Sequence, residues 1–181
     1  MDYPPFNMHG QRYYTFMPCE GVRFFALDSN NMDPQQLAWL EKELGKPGSE
    51  WKIAFFHHPL YSSGGRHGSD LALRKQLEPL FVKYGVALAL SGHDHVYERI
   101  KPQQGVEYFV IGNSAKLRQG NVRPSSIAAK AFDTDESCAV MAVEGDVLTF
   151  QVISRTGATV DSGSFSRPAR RIPTEVDPAA K

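Results

Sequence analysis

Two short apolar runs constrain this 181-residue chain more than any other feature. Ile53-Ala54-Phe55-Phe56 and Val86 to Leu90 are continuous rather than alternating, and they are short. Runs of that kind form strands covered on both faces, as in a parallel sheet. Between them, Asp70 to Tyr84 reads as a helix through Leu73, Leu77, Leu80 and Phe81, closed by Gly85. Pro79 predicts a kink or a fresh helical turn within it. Strand, helix, strand in that order imply a βαβ crossover and parallel pairing.

The flanks extend the pattern. Asp33 is an N-cap residue with Pro34 behind it, and Leu37, Leu40 and Leu44 mark one face, so Pro34 to Leu44 is a helix with Gly45 at C′. Upstream, Tyr13 to Phe16 and Val22 to Leu27 form a hairpin around Pro18-Cys19-Glu20-Gly21. After about residue 105 the chain turns all-β, with strands at Val106 to Ile111, Cys138 to Val143, Val147 to Ser154 and Thr159 to Ser162. Leu148, Phe150 and Val152 alternate with Thr149 and Gln151, so that strand has one wet face. Gly112 to Glu136 lacks periodicity and reads as a functional or mobile loop. Ser166 to Lys181 is poor in large apolar residues and reads as a disordered tail.

Charge and composition narrow the function. Twenty Lys and Arg balance 20 Asp and Glu, which argues against a broad nucleic-acid footprint. No apolar run approaches the roughly 18 to 20 residues of a membrane span. Met1 to Phe6 has no basic segment followed by an apolar stretch, so it does not read as a secretory signal. Cys19 and Cys138 fit either one disulfide or two buried thiols. What stands out is histidine: five of six lie between His57 and His95. His57 directly follows the first buried run, and His93 and His95 directly follow the second. Binding groups gather at the carboxyl ends of parallel strands, and imidazole suits Zn, Fe and related ions. The alternative is polar filler.

The segments Phe56-His57-His58-Pro59-Leu60-Tyr61-Ser62-Ser63-Gly64 and Leu90-Ser91-Gly92-His93-Asp94-His95-Val96-Tyr97-Glu98-Arg99 resemble the C-terminal half of a calcineurin-like metallophosphoesterase. Within that superfamily they are most similar to the purple-acid-phosphatase-like branch. Arg23 to Ser29, Leu77 to Phe81 and Asp161-Ser162-Gly163 fit the same pattern, and the resemblance spans roughly residues 10 to 165. It implies an α/β fold, the C-terminal portion of a four-layer αββα sandwich with mixed sheets. It implies a phosphatase-like hydrolase acting on phosphate monoesters through a metal-bound hydroxide. Two divalent or trivalent ions (Fe, Zn or Mn) serve such a site, with His57 and His93 on one and His95 on the other. His67 corresponds to a catalytic residue that contacts phosphate or donates a proton, and Tyr61 to a residue facing the substrate entrance. His58, a strand neighbour of His57, is read as packing, because successive strand residues point to opposite faces. Tyr97, Glu98 and Arg99 are read as structural, and Asn113 as turn chemistry. The resemblance implies a periplasmic or secreted compartment, a phosphate ester as partner, and neither nucleic acid nor membrane.

The same pattern exposes a deficit. Relatives carry Asp-x-His, Gly-Asp-x-x-Asp (or Tyr) and Gly-Asn-His motifs upstream. This chain has no Asp-x-His, its one Gly-Asp is Gly145-Asp146, and neither Gly112-Asn113 nor Gly120-Asn121 is followed by His. The expectation is a truncated domain over residues 1 to 165, holding at most one ion by itself. Bare strand edges would favour self-association or pairing with a complementary segment. The competing reading is a non-enzymatic domain that binds a single metal or such a segment.

Overall fold

A computed structural model describes residues 8–167. Seven strands form one mixed sheet: β1 (Tyr14–Cys19), β2 (Gly21–Ala26), β3 (Ser49–Phe55), β4 (Leu88–Ser91), β5 (Tyr97–Gln103), β6 (Val106–Ile111) and β7 (Ala128–Phe132). Their order is β1-β2-β3-β4-β6-β5-β7. β2, β3, β4 and β6 are parallel, as the two buried runs require. β8 (Ser137–Glu144), β9 (Val147–Ser154) and β10 (Thr159–Ser166) form a separate antiparallel sheet in the order β10-β9-β8.

Helices α1 (Pro34–Leu44) and α2 (Leu71–Tyr84) cover one face of the large sheet. Leu40, Leu44, Leu73, Leu77 and Phe81 pack there on Phe25, Ala54, Ala89 and Tyr108. The small sheet covers the other face, where Leu148, Phe150 and Val152 meet Val22, Trp51, Ile53, Leu88, Tyr97 and Phe109. The described residues thus build three layers of the expected sandwich: helices, sheet, sheet. Two polar clasps join the sheets. Trp51 Nε1 donates to the Gly145 carbonyl at 2.8 Å. Asp161 of β10 accepts from Tyr97 Oη at 2.8 Å and from Arg99 at 2.8 and 3.2 Å.

Cover is incomplete on the small-sheet side. Tyr14, Phe16, Phe24 and Phe55 share that face and contact one another, Phe16 stacking on Phe24 with ring centroids 5.2 Å apart. All four are only half-buried. β10 lies at the edge of its sheet and pairs with β9 alone among the described strands.

Several expectations change. α2 runs unbroken through Pro79. Gly45 ends α1 in the right-handed helical region (φ −74°) rather than the left-handed one. β5 was not expected, and β7 crosses the stretch read as loop. Neither cysteine is buried: Cys19 and Cys138 are free and exposed. β10 extends to Ser166; the tail expected beyond it lies outside the described residues from 168 onward.

Candidate metal centre

Parallel strands bring their carboxyl ends to one rim, and three of them deliver polar side chains there. β2 leads into Asp28-Ser29, β3 into His57-His58, and β4 into Gly92-His93-Asp94-His95. Backbone bonds keep the turns in step: Leu27 N to Phe55 O at 3.0 Å, Phe56 N to Leu90 O at 3.1 Å, and Gly92 N to His57 O at 3.0 Å.

The ligand nitrogens of His57, His58 and His93 all lie within 4.8 Å of one another. His57 Nε2 and His93 Nδ1 are 2.9 Å apart. The exposed His67 ring lies against His93, with centroids 4.0 Å apart. His93 holds this place with φ +64°, a left-handed backbone that costs an L-residue about 1–2 kcal/mol and that tends to mark functional turns.

His58 joins the cluster because the alternation argument does not apply to it. β3 ends at Phe55, and both histidines lie in the bend that follows, with ring centroids 4.8 Å apart. His95 stands outside this set of three, and its Nδ1 is buried without a hydrogen-bond partner. Tyr61 corrects an expectation. It is buried on the helix side, its hydroxyl donates to Glu78 of α2 at 2.5 Å, and Arg74 lies over its ring, so it does not face the histidines. Burial and that bond push its hydroxyl up to about 12. Asn113 is buried and donates to Asp135 O at 2.9 Å and to Ser137 Oγ at 3.0 Å, so its side chain ties its segment to the entry of β8 rather than serving its own turn.

No carboxylate joins the three imidazoles among the described residues. The two that come nearest in sequence are spent on the loop that carries His67. Buried Asp94 accepts from Ser62 Oγ at 2.7 Å and Gly68 N at 3.0 Å. Buried Glu98 accepts from Ser63 N at 2.8 Å, and burial pushes its carboxyl above the ordinary range. Glycines make this packing fit. A Cβ on Gly64 would lie 2.6 Å from Asp94 Oδ1, and one on Gly112 would lie 2.9 Å from the Asp94 carbonyl carbon and overlap its oxygen. Gly145-Asp146 is the β8–β9 turn, with Asp146 engaged by Arg167 at 2.8 Å.

Burial, then neighbouring charges, lowers the pKa of His57, His93 and His95. Neutral rings are the form that ligates metal. For His95, Lys116 and Arg118 contribute to that lowering, so the rim is positive on that side and suited to an anion. Sequence reasoning missed both cations, which lie in the stretch without periodicity. It also missed Ser29 and Gln36. Gln36 is fully buried in the first turn of α1, and its amide bonds Asp28 N (2.8 Å), Asp28 O (3.1 Å) and Asn31 O (3.0 Å), fixing the turn that carries Ser29. The available signal was a hydroxyl two residues past the strand Val22 to Leu27.

The donor set can be compared with the two kinds of metal centre. Paired cations about 3.5–4 Å apart need anionic ligands between them, and three imidazoles do not fit that group. One ion held by three imidazoles and water does fit.

A family model described as calcineurin-like phosphoesterase matches residues 3–97. Tartrate-resistant acid phosphatase type 5 of Homo sapiens is 29% identical over 143 residues, covering 75% of this chain and 43% of that protein. Among solved structures, purple acid phosphatase PPD1 from yellow lupin (Lupinus luteus) seeds superposes with a TM-score of 0.72 at 22% identity, covering 87% of this chain and 33% of that one. GAP50, described as the anchor in the inner membrane complex of Plasmodium, gives 0.75 at 20% identity, covering 88% and 56%. This chain spans less than half the length of the curated relatives it matches.

Proposed function

The chain belongs to the calcineurin-like phosphoesterase family, and on that premise we propose that it carries the histidine half of a metal-dependent phosphatase acting on phosphate monoesters. The observation that supports this reading is the convergence of His57, His58 and His93 at the strand ends with His67 against them. His67, exposed beside the cluster, binds a phosphoryl oxygen or protonates the leaving alkoxide, work an imidazole N–H can do. Lys116 and Arg118 draw the anionic ester toward the rim.

In this reading the carboxylates of a two-ion centre (Fe, Zn or Mn) belong to a complementary segment outside the described residues. The half-covered aromatic face and the open edge of β10 are where it would pack. The working enzyme is periplasmic or secreted, by analogy with the family. No helix of the described residues is long and apolar enough to cross a membrane. Without the segment, the same edge and face favour self-association.

The test is phosphate chemistry on the chain alone, loaded with Zn(II). It should bind inorganic phosphate in a way weakened by His67→Ala, yet turn over p-nitrophenyl phosphate feebly. A monomeric chain that binds two ions and hydrolyses that ester rapidly overturns the division of the site. A second reading, a non-enzymatic domain holding one ion or a partner segment, draws support from the carboxylate-free cluster. It expects no phosphate binding that depends on His67.

A further inference from the structure

The loop from His58 to Ser69 carries His67, and two bonds zip its neck: Asp70 N to Pro59 O at 2.8 Å, and Ser62 N to Ser69 Oγ at 3.0 Å. Neither bond reaches the tip. The tip rests on the carboxylate of Asp94, whose Oδ2 accepts from Ser62 Oγ at 2.7 Å on the way in and from Gly68 N at 3.0 Å on the way out. That second N–H belongs to the peptide directly after His67. Between the two, Gly64 packs so closely on the carboxylate that a Cβ there would overlap it. Gly64 N also donates to Ser62 Oγ at 3.0 Å, which turns the serine hydroxyl toward Asp94.

Asp94 directly follows His93, and the turn that carries both is held by its own backbone. Asp94 N donates to Gly92 O and Val96 N to Asp94 O, each at 2.8 Å, and Arg118 N donates to His95 O at 3.1 Å. The Asp94 side chain is therefore not needed to place His93. What it does is tie the loop to the same turn, so that the His67 ring lies 4.0 Å, centroid to centroid, from that of His93. The carboxylate is fully buried, and among the described residues no Lys or Arg pairs with it. Burial of that kind is costly, and an apolar side chain would serve packing alone better. The carboxylate supplies one acceptor atom that both limbs of the loop can reach, the kind of support that fixes a functional side chain.

We infer that Asp94 is a positioning residue: through Ser62 and the His67–Gly68 peptide it sets His67 against the histidine turn, where a phosphoryl group would be met. The inference rests on the role proposed for His67 above and adds the residue that places it.

The test uses the full 181-residue chain saturated with Zn(II), with inorganic phosphate as the probe and calorimetry as the readout. His67→Ala and Asp94→Ala should each weaken phosphate binding about tenfold, the scale of one hydrogen bond to a charged group. The double variant should be no more than about 2-fold worse than either, because both changes remove the same contact, whereas independent contributions would multiply to about 100-fold. Asp94→Asn, whose amide oxygen can accept both bonds, should keep phosphate affinity within about 3-fold of wild type, and Zn(II) affinity should hold within about 3-fold in both Asp94 variants. Nuclear Overhauser contacts between the His67 and His93 rings should appear in wild type and Asp94→Asn and vanish in Asp94→Ala. Circular dichroism checks folding. If Asp94→Ala does not fold, Ser62→Ala, which removes one of the two donors, takes its place in the cycle with the same non-additivity expected. Multiplicative losses, or ring contacts that survive the alanine substitution, overturn the inference while leaving the role of His67 standing. Phosphate binding indifferent to His67→Ala overturns that role and this inference together.

Discussion

Gly112→Ala puts one carbon where the fold has no room for it. The added Cβ overlaps the Asp94 carbonyl oxygen, lies 2.9 Å from the Asp94 carbonyl carbon, and is 3.4 Å from the carbonyl carbon of Gly92. These are backbone atoms, so no side chain can swing clear. Residue 112 cannot retreat cheaply either, because its N–H donates to Val96 O at 3.0 Å. Overpacking of this kind costs about 1–3 kcal/mol. Moving Asp94 also strains its bonds from Ser62 and Gly68, each worth about 1.5–3 kcal/mol when intact. Partial loss of both brings the expected destabilisation to about 3 kcal/mol. For a domain of this size that lowers Tm by roughly 6–12 °C. Gly92→Ala, across the same turn, is the control: its Cβ meets only Gly112 Cα at 3.9 Å, so its cost should stay within about 0.5 kcal/mol. Urea unfolding of the metal-free proteins reads the difference, and Co(II) titration shows whether the displaced turn carries His93 away from the cluster. Equal unfolding midpoints for the two variants would refute the claim that Gly112 is required by close approach.

Three further outcomes follow from buried polar groups. Asp161→Ala leaves Tyr97 Oη and Arg99 without their shared acceptor. It should cost about 2–3 kcal/mol in urea unfolding, discounted because the Arg99 side chain is 26% exposed. Burial pushes the Asp161 carboxyl up, but the bonds from Arg99 and Tyr97 outweigh it and hold the pKa low. Its stabilisation is therefore complete above an ordinary pKa of about 3.9 and is lost as pH falls through the lowered value, an acid limb that Asp161→Asn should flatten. Glu98 has the opposite sign. Burial raises its pKa, so its contribution is complete below about pH 4.3 and is lost as pH rises through the raised value. Glu98→Gln keeps an acceptor for Ser63 N–H and should stabilise the chain at pH 7 by roughly 1 kcal/mol, with the gap closing on acidification. Trp51→Phe orphans the Gly145 carbonyl and opens space at a side chain only 1% exposed. Thermal unfolding should register about 2 kcal/mol.

Local chemistry made α1 legible to the residue, because Asp33 caps it by accepting from Gln36 N at 2.8 Å and Pro34 starts it. The parallel block was legible because a strand covered on both faces has almost no polar residues to confuse its pattern. β5 was not. Its sequence YERIKPQ carries three charges and a proline, yet Glu98 and Arg99 are spent on Ser63 and Asp161, contacts that span 35 and 62 residues. Polarity satisfied at such range is invisible in a local window. The site divides in the same way. His57 and His93 stood out because each follows a strand. The place of His58 depended on the chain leaving β3 at Phe55, one residue sooner than the apolar run suggests. Tyr61 went the other way, its hydroxyl captured by a carboxylate 17 residues on.

The histidine cluster draws on one contiguous stretch of chain. His57 and His93 are separated by 36 residues, and everything between them is β3's exit, α2 and β4. Closing a loop of that length costs about 3 kcal/mol of chain entropy, and a loop twice as long would add only about 0.6 kcal/mol. The benefit of proximity is therefore in time more than in energy, since near contacts are found sooner than distant ones. The strand, helix and strand that hold the rim can come together before β8, β9 and β10 have folded back across the sheet. An ion seated early would then act as a crosslink during folding, fastening the turn of His93 while the rest of the molecule is still finding its place.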